Sequence, residues 1–208
     1  MTALPRRRWT VEEYLAAERD SEIKHEFLDG DIYDMAGASR AHNAIVFDAI
    51  VALGGQLRDG RCSAFASDQR VRLSARAYVY PDLSVVCGEA LFSVEVGLET
   101  LLNPTLIVEV LSPSTEQYDR GEKFLRYLRM DSLREYVMIA QDAPRVEVYT
   151  RQADGTWLYA ITQGLDQTAA LRSIDAALPL VDLYRRVTFD ADAPDLADAP
   201  GDADGSTG

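Results

Sequence analysis

The soft metal-binding side chains are nearly missing from this 208-residue chain, which holds two histidines and two cysteines. His25 and His42 are too few for a histidine-rich metal site. Cys62 and Cys87 have no CxxC spacing, so a cysteine zinc site is excluded. The same two cysteines are too few for a disulfide framework and read as reduced, packed thiols. Any resident metal must then be held by oxygens, which favours Mg2+ or Mn2+. Long apolar runs are absent as well. No segment approaches the roughly 20 apolar residues of a membrane span. The three arginines within residues 1–8 are followed by polar and charged residues, against a signal peptide. The expected compartment is the cytoplasm.

Basic residues are also in deficit: 21 Lys and Arg face 34 Asp and Glu, a formal net charge of −13. Six of the acids, Asp190, Asp192, Asp195, Asp198, Asp202 and Asp204, lie in a base-free stretch after Phe189. Without them 28 acids face 21 bases, near −7. Residues 189–208, rich in Asp, Ala, Pro and Gly, cannot bury enough apolar surface to fold alone and read as an acidic, disordered tail. Residues 1–188 form one expected domain, since a chain with 47% hydrophobic residues at this length supplies one good core and is short for two. The negative balance predicts weak non-specific affinity for nucleic acid unless a divalent cation is present.

Thr10-x-x-Glu13 is a capping-box signature that opens a helix over 10–19. Asp29-Gly30 sits between alternating segments and predicts a hairpin over 24–35. Ile45, Val46, Ala49, Ile50, Leu53 and Leu57 recur at helical spacing, predicting a helix over 39–58. Strands follow over 62–66, 69–73, 79–86 and 105–111, with a short helix at 97–102 in the connector. Ser114-x-x-Gln117 caps a helix running to about residue 130. Further strands are expected over 135–140, 146–151 and 157–162, and a closing helix over 180–186. This order argues for a mixed α/β or α+β domain built on a central sheet.

Chemistry concentrates on Pro81-Asp82 in one predicted strand, Glu109 in the next, and Lys123 in the helix after it. Two carboxylates on neighbouring strands can hold a hard divalent cation, and a nearby ammonium can steady an attacking water or a phosphate. An ionised Glu109 inside the apolar run Leu106-Ile107-Val108-Glu109-Val110-Leu111 would cost several kcal/mol, roughly, without a positive partner. A cation, Lys123, or a buried pair with Arg70 or Arg72 would each meet that need. Helical geometry makes Phe124, Tyr127 and Leu128 the buried arc, with Lys123 at its edge. Lys123 also stands four residues after Asp119, the spacing of an ordinary surface salt bridge.

Pro81-Asp82, then Val108-Glu109-Val110-Leu111-Ser112-Pro113-Ser114-Thr115, then Asp119, Lys123-Phe124-x-x-Tyr127 and Glu135-Tyr136-Val137-Met138-Ile139 form an ordered series. With His25-Glu26-Phe27-Leu28-Asp29-Gly30 and Ser39-Arg40-Ala41-His42-Asn43 ahead of it, the series resembles the Uma2 family (DUF820) of restriction-endonuclease-like proteins, within the PD-(D/E)XK nuclease superfamily. The resemblance covers roughly residues 8–187. It implies a restriction-endonuclease-like mixed sheet flanked by helices and an endonuclease that hydrolyses DNA phosphodiesters with Mg2+ or Mn2+. Asp82, Glu109 and the backbone carbonyl of Val110 would hold the metal, and Lys123 would act in catalysis. Glu26 resembles the additional acid of the superfamily, and family analogy extends to a homodimer with DNA as partner. This chain departs from the superfamily pattern at Leu111, where the catalytic lysine would stand two residues after the acid on the same strand face. The resemblance implies that the lysine has moved to the following helix, where Lys123 fits.

Several residues keep a plainer reading beside the functional one. His42 lies in a first helical turn, where a capping or core histidine is favoured over a general base. Asp68 is a weaker candidate for a supporting carboxylate, and Tyr127 reads as core with its hydroxyl on a polar neighbour. Arg58, Arg61, Arg70, Arg72 and Arg76 could meet phosphates or form a scattered solvated face. Ser112-Pro113-Ser114-Thr115 is read as a helix-start turn, since no nucleophile elbow is present. A different class of function also fits the acidic balance and Leu111: a non-catalytic binding or dimerisation module on a nuclease scaffold.

Overall fold

A computed structural model of the chain describes residues 7–35, 37–58, 60–112 and 116–189. The predicted capping box opens α1 (Val11–Arg19): the Thr10 hydroxyl accepts from the Glu13 amide, and the Glu13 carboxylate accepts from the Thr10 amide. β1 (His25–Leu28) and β2 (Asp31–Asp34) pair as the expected hairpin. Asp29 and Gly30 take φ of 50° and 104°, the left-handed pair a type I′ turn requires. Ser39 caps α2 (Arg40–Leu57) by accepting from the His42 amide.

Six strands follow: β3 (Cys62–Ala66), β4 (Val71–Ser74), β5 (Ala77–Val79), β6 (Leu83–Cys87), β7 (Phe92–Glu95) and β8 (Leu98–Leu101). The strand expected over 79–86 is interrupted, because Pro81 offers no ladder donor and the chain there crosses from one sheet to another. That crossing sets Asp82 at the seam between the sheets. The helix expected over 97–102 is instead β8, since Val96 and Gly97, with φ of 48° and 85°, turn the chain into a hairpin with β7. β9 (Leu106–Leu111) precedes two short helices, α3 (Glu116–Arg120) and α4 (Glu122–Leu128), where one helix was expected. They divide at Gly121, whose ψ of −111° is not helical. The Ser114 cap lies outside the described residues. β10 (Glu135–Ala140), β11 (Arg145–Arg151), β12 (Trp157–Gln163), β13 (Thr168–Leu171), β14 (Ala176–Pro179) and α5 (Leu180–Leu183) complete the chain.

The strands form two six-stranded mixed sheets, β2-β1-β5-β4-β8-β7 and β12-β11-β10-β9-β6-β3, beside the β13-β14 hairpin. This is an α+β architecture with a second large sheet beside the expected central one. α2, β14 and α5 cover one face of the second sheet, burying Ile45, Leu53, Val108, Val110, Leu178 and Leu183. α4 and the first sheet contribute to the core on its other face, where Val71, Val79, Ile107, Leu111, Tyr127 and Met138 are buried together. β9 is buried along its whole length, as its apolar run predicts. Among the described residues no helix is long and apolar enough to cross a membrane.

Cys62 and Cys87 are joined in a disulfide, which corrects the expectation of two reduced thiols. They stand directly opposite each other in the antiparallel β3–β6 pair, at the far edge of the second sheet. With a sequence separation of 25 between the bonded positions, the chain-entropy effect is about 3.5 kcal/mol. Urea unfolding with and without dithiothreitol should show a loss of about that size on reduction. Identical midpoints, with free thiols detected in both samples, would restore the reduced reading.

Candidate active site

Sheet register explains how residues far apart in sequence meet. β6 and β9 pair antiparallel up to Leu83 opposite Val108, and Asp82, just ahead of β6, is tied to β9 next to Glu109 by accepting the Val110 amide. Beside Glu109, the parallel β9–β10 pair sets Met138, which is buried. β1 of the other sheet brings Glu26 to the same place, and α4 lays Lys123 across it. Asp82, Glu109, Glu26 and Lys123 line one cavity of about 870 Å³ together with His42, Val110 and Asp119.

Lys123 is the hub. Its Nζ lies 2.8 Å from Glu109 Oε1, 3.0 Å from Glu26 Oε1 and 3.6 Å from Asp119 Oδ1, with all four side chains about 95% buried. The helix arc was misjudged from sequence: Lys123, Tyr127 and Met130 form its buried line, while Phe124 and Leu128 are half-buried. The Asp119–Lys123 pair is therefore buried in the site, contrary to its reading as a surface salt bridge. The arginine alternatives for Glu109 are also excluded. Arg70 donates to Thr100 and Arg72 reaches Glu95, both in the first sheet. Arg76 reaches Asp29, and Asp68 pairs at the surface with Lys24.

Tyrosines complete the arrangement. Tyr127 donates its hydroxyl to Glu109 at 2.7 Å, as its core reading with a polar neighbour anticipated. Tyr118 donates to the second oxygen of Glu26 at 3.0 Å, while the Tyr80 amide donates to the first at 3.1 Å. Asp82 Oδ2 accepts the Val110 amide at 2.7 Å and faces His42 Nε2 at 3.3 Å. His42 is thus a site residue whose side chain serves Asp82 and not the helix cap. Tyr118 and Asp119 were not singled out as site residues, although the i, i+4 row Asp119, Lys123, Tyr127 was visible in the sequence.

The electrostatics are those of a site with too many acids. Burial drives the Glu109 carboxyl up to about 8, against the pull of Lys123 and with help from Asp119, Asp82 and Glu26. Burial alone would lower the Lys123 ammonium, but Glu109 and Glu26 outweigh it and hold the pKa well above the ordinary value. For His42, burial is likewise overcome by Asp82, Asp119 and the Val110 backbone, and its pKa rises. Five carboxylates and two lysines line the cavity, so one further positive charge is accommodated readily.

Among the described residues no three His, Cys, Asp or Glu side chains converge as a ready-made metal cage. The donors that line the cavity beside Lys123 are hard oxygens, on Asp82, Glu109 and Glu26. That set fits a cation that keeps several of its own waters, as Mg2+ does, and does not fit zinc.

Removing the Lys123 ammonium should expose how much the fold relies on it. In the absence of divalent cation, Lys123→Met should lose about 3–5 kcal/mol in urea unfolding, because Glu26, Glu109 and Asp119 stay buried without their partner. Wild-type stability in that variant would mean that the acids were already held neutral.

Comparison with known proteins agrees with this architecture. The profile of the Uma2 family, described as "Putative restriction endonuclease", matches residues 11–180. The chain is 34% identical over 179 residues to the uncharacterized protein slr1290 of Synechocystis sp. (strain ATCC 27184 / PCC 6803 / Kazusa), covering 86% of this chain and 92% of that one. It is 36% identical over 156 residues to the uncharacterized protein sll1609 of the same organism, covering 74% and 88%. A crystal structure from Anabaena variabilis ATCC 29413, titled "a putative nuclease belonging to DUF820", superposes with a TM-score of 0.69 at 21% identity, over 85% of this chain and 98% of that one. The likeness to that structure concerns the fold. On the extent of the profile match and of the two relatives, the chain belongs to the Uma2 family of restriction-endonuclease-like proteins.

Proposed function

We propose that the chain is a metal-dependent endonuclease that hydrolyses DNA phosphodiester bonds, with its centre in the cavity at the seam of the two sheets. One observation carries the reading: Asp82, just ahead of β6, and Glu109, on β9, line one cavity with the Lys123 ammonium 2.8 Å from Glu109. Mg2+ or Mn2+, when bound there, supplies an acidified water and neutralises charge on the scissile phosphate. Asp82 and Glu109, with the Val110 carbonyl, are the donors that would hold it. Asp82 is kept in place by the Val110 amide and His42, and Glu109 by the Tyr127 hydroxyl.

Lys123 takes the role that the superfamily pattern gives to a lysine at position 111. A strand lysine there would sit on the same face as Glu109, and Lys123 reaches that carboxylate from the helix instead. Its ammonium stabilises the negative charge that builds on the phosphate, a preorganised contribution of about 2.7–4 kcal/mol. Glu26 holds the ammonium from the other side with two donors of its own, which makes it a positioning acid in this scheme.

Supercoiled, linear and single-stranded DNA incubated with Mg2+ or Mn2+ tests the proposal, with Glu109→Gln as the control. Wild-type nicking that vanishes in the control is expected, and folded Lys123→Met should be about 100- to 1000-fold slower while still binding Mn2+. Calorimetry separates this from a non-catalytic module. Wild-type protein that binds Mn2+ no better than Asp82→Asn with Glu109→Gln would favour the module.

Cation binding should also follow the raised Glu109 pKa. The proton competes with the cation for the same oxygens, so Mn2+ affinity should climb between pH 6 and pH 8, by up to about ten-fold per unit, then level off. Glu109→Gln should flatten that profile. A wild-type affinity that does not change over this range would remove Glu109 from the cation's donors.

A further inference from the structure

The sheet row that holds the acids does not end at Met138. The antiparallel β10–β11 pair sets Glu147 opposite Met138, so Glu109, Met138 and Glu147 run in line across one face of the sheet. Glu147 is as buried as the site acids, yet it is outside the cavity lining. Both of its oxygens point at α3: Arg120 donates Nη1 to Oε2 at 2.9 Å and Nη2 to Oε1 at 2.6 Å. Tyr159 adds its hydroxyl to Oε2 at 3.0 Å, and the Arg145 guanidinium stands 3.4 Å from Oε1. Arg120 in turn spans to Glu116, one turn back on α3, at 2.7 Å.

α3 has only five residues, well short of the length at which an isolated helix holds itself. Its C-terminal end stops at Gly121, where any side chain would place a Cβ 2.8 Å from the Gln117 carbonyl oxygen. The segment nonetheless delivers two site contacts, Tyr118 to Glu26 and Asp119 to Lys123. Those contacts pull α3 from the cavity side. The bidentate Arg120–Glu147 pair grips it from the opposite side, with the planar fork that fixes direction as well as distance.

We infer that Glu147 is a positioning residue for the proposed nuclease centre, acting through Arg120 to fix α3 and so the placement of Tyr118 and Asp119 against Glu26 and Lys123. The inference rests on the nuclease reading for its catalytic consequence and on the geometry alone for its mechanical one. Glu147 never meets substrate in this scheme, so its loss lowers kcat and leaves KM near the wild-type value. A small displacement of reacting groups is costly, and at least about ten-fold in kcat is expected.

A double-mutant cycle with Glu147→Gln, Arg120→Gln and the pair together tests it, read in nicking kinetics and in amide hydrogen exchange over residues 116–120. If Glu147 acts through Arg120, each single variant lowers kcat at near-constant KM and speeds exchange in α3, and the double is no worse than either single. Multiplying losses in the double, or unchanged α3 exchange in both singles, would overturn the inference. Arg120→Gln changes a partly exposed side chain, so it reads α3 even where the buried Glu147 variant folds poorly. Should wild-type protein nick no DNA, the nuclease reading falls, and the exchange cycle still decides whether Glu147 holds α3.

Discussion

A buried ammonium surrounded by carboxylates organises this molecule. Lys123 from α4 meets Glu109 from β9, Glu26 from β1 and Asp119 from α3, so one charge joins the two sheets and both central helices. Such a cluster is poor value as a stabilising device. Taking each ion out of water costs several kcal/mol, and a well-packed apolar replacement is often neutral or better. Glu147 and Arg120 repeat the pattern nearby, whereas Leu111, Met138 and Tyr136 show that this face of the sheet packs apolar groups without difficulty. A charge cluster kept amid such a core is better accounted for by chemistry than by stability.

The two-sheet architecture is what makes the cluster possible. β9 and β6 alone would bring Asp82 to Glu109, but Glu26 belongs to the other sheet and arrives only because β1 pairs with β5. One of the links between the sheets is Tyr80-Pro81-Asp82, where β5 gives way to β6. Pro81 ends one ladder, Tyr80 gives its amide to Glu26, and Asp82 begins the run into β6 while accepting from Val110. Three consecutive residues thus tie the seam to both acids.

The sequence made part of this legible. An acid inside an apolar run, a second acid after a proline and a lysine one helix later drew attention to Asp82, Glu109 and Lys123, because strand alternation and burial cost act locally, while their proposed roles came from the resemblance to the Uma2 family. The cap at Thr10 and the Asp29-Gly30 turn were readable for the same reason. What escaped depended on pairing between distant segments. Cys62 and Cys87 face each other only once β3 lies against β6, and 25 positions of sequence give no hint of that register. The stretch 97–102 has residues that suit a helix, but Val96-Gly97 turns it back on β7 and the sheet takes it. Asp119 looked like a solvated partner of Lys123 because an isolated helix says nothing of what covers it.

Placing the lysine on a helix instead of on the strand changes how the centre is controlled. A lysine at position 111 would be fixed by the β9 ladder, which is buried throughout and paired on both sides. Lys123 depends instead on α4, a helix of seven residues, and on the break at Gly121 that joins it to α3. Its ammonium is therefore aimed by side-chain contacts from several elements: Glu109 and Tyr127 on one side, Glu26 with Tyr118 and the Tyr80 amide on the other. Those contacts respond to charge. Neutralising Glu109 weakens one anchor, and a cation between Asp82 and Glu109 would compete with the ammonium for the same oxygens. Were a cation to share the Glu109 carboxylate, Glu26, held by the Tyr80 amide and the Tyr118 hydroxyl, would still anchor the Lys123 ammonium from the other sheet.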